Sequence, residues 1–139
     1  MKGKILVVDD DVNAQIITET LLETRGWRVR SVCDGGEALE AFRRDPADVV
    51  VTELQLPGMN GLELIRQLRG RFQPLPLAAQ PRVIVLSSES DPATQAFAMR
   101  LGADAFLKKP VVPAEFVHQV EALLQGRTVD GAPLASLRA

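Results

Sequence analysis

The chain of 139 residues carries one cysteine, one histidine, a net charge of only −2 and no long hydrophobic run. A single thiol, Cys33, excludes an internal disulfide framework, and no spaced Cys/His cluster marks a structural zinc site. The N-terminal MKGKILVVDDD breaks after a short apolar stretch into three acids, unlike a signal peptide. Nothing approaches the roughly 20 apolar residues of a membrane span, so a cytoplasmic location is expected. The near-balanced charge gives no whole-chain attraction to nucleic acid or to an anionic membrane. What is present is ordinary globular composition, 46% hydrophobic and 24% charged, on a length that suits one domain.

The pattern along the chain alternates between two periods. Ile5 to Val8 is a short apolar run that stops at Asp9, Asp10 and Asp11, as a buried strand would. Val12 to Arg25 places Ile16, Ile17, Leu21 and Leu22 at helical spacing, with Asp11 as N-cap and Gly26 as stop. Trp27 to Cys33 alternates as a strand nearer an edge, with Cys33 expected to face the core, and Gly36 to Arg44 carries Ala38, Leu39 and Phe42 on one helical face. Val49 to Thr52 is a third strand, ending at Glu53 before a Pro-Gly turn, and a helix follows from Gly61 to Arg69. Positions 70–82 hold three prolines and no period, which predicts a loop. Val83 to Leu86 is a fourth strand, ending in Ser87 and Ser88. Asp91 and Pro92 open a helix through Phe97 and Met99 to Gly102. Ala105 to Leu107 is a fifth strand, ending in Lys108, Lys109 and Pro110, and Pro113 to Gln125 is a last helix. Positions 1–126 thus form one domain, and 127–139 read as a flexible tail or the start of a linker.

Five strands alternating with five helices predict an α/β fold, a doubly wound parallel sheet covered on both faces. Parallel direction then gathers Asp9, Asp10, Glu53, Ser87 and Lys109 at one edge of the sheet, where such folds bind ligands. A lone acid at a strand end commonly caps the strand and faces solvent, but five such groups at one edge are not explained that way. Two carboxylates about 4 Å apart repel by about 4 kcal/mol at an effective dielectric near 20, so they protonate or hold a cation. Hard oxygen ligands suit Mg²⁺, and a metal, a lysine and a hydroxyl are the parts that steady a transferring phosphoryl group.

The segments ILVVDDD, LPGMNG, VIVLSS and GADAFLKKP, in this order and spacing, resemble the receiver domain of two-component response regulators over roughly residues 3–125. The resemblance implies a flavodoxin-like sheet of strand order 2-1-3-4-5. It implies that Asp9, Asp10, Glu53 and the backbone carbonyl of Gln55 surround Mg²⁺. Ser87 and Lys109 match the residues that contact the phosphoryl group, Phe106 the aromatic switch that follows Ser87, and Lys109–Pro110 a peptide bond that is usually cis. It further implies a sensor histidine kinase or phosphotransfer protein upstream, and an output domain or effector downstream. A homodimer through the fourth helix, fifth strand and last helix is the implied self-contact, with neither nucleic acid nor membrane bound by this domain.

One position departs from the pattern. Where the family has its phospho-acceptor aspartate, this chain has Glu53. The added methylene moves the carboxylate outward by roughly 1.5 Å, and misplacement on that scale can cost on the order of a hundredfold in rate. The leading expectation is a non-enzymatic receiver whose Glu53 reaches Lys109 and Ser87 and mimics the active state. A receiver phosphorylated on Glu53, and an interaction module independent of phosphorylation, stay open. His118 is expected at the surface. Arg25, Arg28, Arg30, Arg43 and Arg44 are read as solvated faces in preference to a basic patch.

Overall fold

The computed structural model describes residues 3–70, 80–88 and 91–126. Five strands, β1 (Lys4–Val8), β2 (Arg28–Val32), β3 (Val49–Thr52), β4 (Arg82–Ser87) and β5 (Ala105–Lys108), alternate with five helices. These are α1 (Val12–Glu23), α2 (Gly35–Arg44), α3 (Gly61–Leu68), α4 (Pro92–Leu101) and α5 (Pro113–Leu124). All strand pairs are parallel, in the order β2-β1-β3-β4-β5. This is the doubly wound, flavodoxin-like sheet that the sequence pattern and the resemblance imply. The predicted tail, and positions 71–79 of the predicted proline-rich loop, lie outside the described residues.

The three central strands read as continuous apolar runs because helices cover both faces of the sheet. Leu6, Val8, Val50, Val83 and Val85 pack with Ala38, Phe42, Leu64, Ile65, Leu68 and Ala98 on the side of α2, α3 and α4. Their neighbours Ile5, Val7, Val49, Val51, Ile84 and Leu86 pack with Leu22, Phe116, Val120 and Leu123 on the side of α1 and α5. Four helices begin at a side-chain cap: Asp11, Asp34, Asn60 and Asp91 each accept a first-turn N–H. Each such cap contributes about 1 kcal/mol and fixes where the chain turns back from the strand ends.

Two expectations about orientation fail. Ile16 and Ile17 are more than half exposed, and the buried positions of α1 are Thr18 and Leu22. The apolar residues of α1 cover too wide an arc to set its phase, and the first turns are phased by Gln15. Its Nε2 donates to the carbonyls of Asp9 at 2.6 Å and Val32 at 2.9 Å, which turns Ile16 and Ile17 outward. Cys33 is exposed, not core-facing, because β2 ends at Val32 and the chain is already leaving the sheet.

Candidate functional site

The ladder extends one residue past several strands at their carboxyl ends, and those residues form the site. The N–H of Asp9 donates to Val32, that of Glu53 to Val8 at 3.0 Å, and that of Lys109 to Ser87 at 2.9 Å. Each backbone is therefore fixed before its side chain is placed. The Glu53 backbone is pinned from the far side as well. A Cβ on Gly61 would lie 2.4 Å from the Glu53 carbonyl oxygen, so the first residue of α3 has to be glycine for this close approach. Gly58, at φ +71°, turns the chain between them.

Glu53 does not face solvent; it is 7% exposed. Its Oε1 accepts from the N–H of Leu54 at 2.9 Å, the N–H of Gln55 at 3.3 Å and the hydroxyl of Ser87 at 3.0 Å. Its Oε2 lies 3.0 Å from Lys109 Nζ. The same ammonium donates to Asp9 Oδ2 at 2.7 Å, and Asp9 Oδ1 accepts the N–H of Asp11 at 3.0 Å. Two buried carboxylates thus share one ammonium, the arrangement that crowded acids require. Burial pulls the Lys109 pKa down, but the hydrogen bonds and charges of Asp9 and Glu53 outweigh it and hold the group above the ordinary lysine value. The Lys109–Pro110 bond is cis.

The remaining expected site residues fall into two groups. Ser87 is fully buried and donates to Glu53, so it joins the site, whereas Phe106 on β5 is partly buried against the α2–α4 side of the core. Asp10 and Gln55 are exposed, and Asp11 is the cap of α1. A cleft of about 610 Å³ opens beside them, lined by Asp10, Leu54, Gln55, Leu56, Pro57, Asn60, Leu62 and Thr94. Glu53 is not in its lining. His118 is exposed on α5 as expected. Of the arginines, Arg25 pairs with Glu121 and lies over Trp27, and Arg30 pairs with Asp45.

Of the four expected Mg²⁺ donors, Asp9 and Glu53 are engaged by Lys109 while Asp10 and Gln55 are exposed, so the three carboxylates do not converge as a metal site in this arrangement. Among the described residues, no three Asp, Glu, His or Cys side chains converge on a point that could hold a metal. The physical reason is the length of Glu53. Its carboxylate folds onto the turn amides, Ser87 and Lys109, and Lys109 fills the space between it and Asp9. Sequence reasoning missed Gln15 and Gly61, which hold the strand ends and the Glu53 backbone. The available signals were a polar residue on the inward side of a helix's first turn and a glycine at a helix start.

The chain is 36% identical over 121 residues to the transcriptional regulatory protein GltR of Pseudomonas aeruginosa, covering 87% of this chain and 48% of that protein. It is 32% identical over 137 residues to the DNA-binding response regulator MtrA of Mycolicibacterium paratuberculosis, covering 99% of this chain and 58% of MtrA. The chain therefore spans about half the length of these curated relatives. Among solved structures, a CheY-like response regulator receiver domain protein from Methanospirillum hungatei superposes with a TM-score of 0.80. Its identity is 25%, over 90% of this chain and 95% of that one. Residues 5–121 match the response regulator receiver domain, and the chain belongs to that family of two-component signalling proteins.

Proposed function

We propose that this chain is a receiver whose output state is set by a fixed acid. Glu53 stands at the phospho-acceptor position, and its carboxylate takes up contacts that a phosphoryl group would otherwise make to Ser87 and Lys109. The single observation that carries this reading is the pair of 3.0 Å contacts, Ser87 Oγ to Glu53 Oε1 and Lys109 Nζ to Glu53 Oε2. Phe106, packed against the core side of the sheet, is the residue through which the state of Ser87 reaches the surface of α4 and β5. A carboxylate carries less charge and fewer acceptors than a phosphate, so the mimicry is partial and the active arrangement is biased, not locked.

Glu53 is also poorly placed to accept a phosphoryl group. It is buried, both oxygens are engaged, and it does not line the adjacent cleft. The domain is accordingly a non-enzymatic signalling module of the cytoplasm. It occupies residues 1–126, with 127–139 as a tail or the start of a linker. It is controlled by a sensor histidine kinase or phosphotransfer protein only to the extent that Glu53 permits, and its surface for self-association is that of α4, β5 and α5.

The test pairs this chain with its Glu53→Asp variant in the absence of phosphodonor. Hydrogen exchange over β5 and side-chain NMR of Phe106 should differ between them, with the aspartate form more mobile at Phe106. Indistinguishable Phe106 environments would sink the mimicry. Intact mass after incubation with a small-molecule phosphodonor should show a phosphoryl group on the aspartate form alone, and a gain on Glu53 would restore ordinary phosphotransfer.

A further inference from the structure

With Glu53 taken as the fixed acid of the proposed function, we infer that the Lys109 ammonium, not a divalent metal ion, is the resident cation of this pocket. The state of the domain is then independent of Mg²⁺. The two buried carboxylates among the expected donors are committed. Asp9 gives Oδ2 to Lys109 at 2.7 Å and Oδ1 to the Asp11 N–H at 3.0 Å. Glu53 gives Oε2 to Lys109 and Oε1 to two backbone amides and the Ser87 hydroxyl. Among the described residues at this edge, Asp10 is exposed and Asp11 is the cap of α1.

Asp9 and Glu53 contribute two negative charges and Lys109 one positive charge, so the buried trio keeps a net charge of −1 and the exclusion rests on occupied contacts, not on charge. A divalent ion entering in place of the ammonium would leave Lys109 partly buried with no carboxylate. Mg²⁺ needs a near-octahedral set and gives up water reluctantly, which two preoccupied carboxylates do not repay. An aspartate at position 53 would be one methylene too short to hold the same contacts to Ser87 and Lys109, and would leave its carboxylate nearer Asp9 and Asp10. Glu53 is therefore the residue that excludes the metal.

Mn²⁺ is the probe, with the free ion read by electron paramagnetic resonance during titration of the full chain, Glu53→Asp, and the double variant Asp9→Asn, Glu53→Asp. The aspartate variant should withdraw Mn²⁺ from solution at concentrations where the unaltered chain leaves it free, a difference of about tenfold or more in affinity. Adding Asp9→Asn should abolish that gain and so locate it in this pocket. Equal affinities for the chain and Glu53→Asp, whether strong or negligible, would overturn the inference. The unaltered chain offers a second check that needs no variant: its thermal midpoint should not move on adding millimolar Mg²⁺, and a rise would contradict metal independence. Equal Mn²⁺ binding together with a changed Phe106 environment would reject metal exclusion while leaving the fixed output standing.

Discussion

Two buried ionic clusters sit at opposite ends of the sheet, and they are built differently. At the amino end, Arg69 donates from Nε to the Gly102 carbonyl at 3.0 Å, from one terminal nitrogen to the Pro81 carbonyl at 2.6 Å, and from the other to Asp104 at 3.2 Å. Asp104 Oδ2 also accepts the N–H of Val83 at 2.7 Å. Among the described residues one cation meets one anion, and further guanidinium donors end on backbone carbonyls. At the carboxyl end, two carboxylates share one quarter-exposed ammonium and negative charge is left over. The first cluster ties α3 to the entries of β4 and β5 and pairs its charges one to one among the described residues. The second is held in place by the fold but is not neutral, and such a surplus is what a signalling pocket can use.

The largest effect should come from breaking the first cluster. Arg69→Met leaves Asp104, whose side chain is 4% exposed, without its cation and strands two carbonyls. A loss of about 3 kcal/mol in urea unfolding is expected, since removing one partner of a buried pair leaves an uncompensated charge. Lys109→Met should cost less, about 2 kcal/mol, because the ammonium is a quarter exposed and water screens part of the loss. The two ends also differ in their response to alkali. The Lys109 pKa is raised on folding, so its contribution is fully present below the unfolded value, about 10.4, and is lost as pH rises through the folded value above it. Unfolding midpoints followed above pH 10 should therefore fall more steeply in the unaltered chain than in Lys109→Met. Parallel slopes would show that Lys109 is not linked to folding. Arginine does not titrate in this range, and Arg69→Met should leave the slope unchanged.

Much of this was legible in the sequence, for physical reasons that differ by element. The strands β1, β3 and β4 are buried on both faces, so their apolar runs and abrupt polar ends mark both their existence and the edge where Asp9, Glu53 and Ser87 gather. Helix starts were legible at Asp11 and Asp91 because a cap is a local interaction between a side chain and the next N–H groups. The facing of α1 was not. Its inward stripe includes Gln15 and Thr18 beside Leu22, and Gln15 is turned inward by the carbonyls that end β1 and β2, a demand set by the assembled sheet and not by the helix's own pattern. Nor could the sequence show how Glu53 would lie. Its charge and position were evident, whereas its burial follows from the turn that aims the Leu54 and Gln55 amides back at it.

The smallest expected effect is the sharpest probe of the second cluster. Ser87→Ala removes one hydrogen bond to Glu53 Oε1, which keeps the Leu54 and Gln55 amides, so the carboxylate is not orphaned. A cost of about 1 kcal/mol is expected, that of a hydrogen bond lost and not that of a stranded charge. In the Glu53→Asp background the carboxylate is already withdrawn from Ser87, and the same substitution should cost nearly nothing. The double-mutant cycle then gives a coupling of about 1 kcal/mol between positions 53 and 87. A coupling near zero would mean that Ser87 is held by its other neighbours and that the added methylene of Glu53 has not reached the hydroxyl. The cluster at the carboxyl end would then be a lysine shared between two acids, with no line of communication through Ser87 to Phe106.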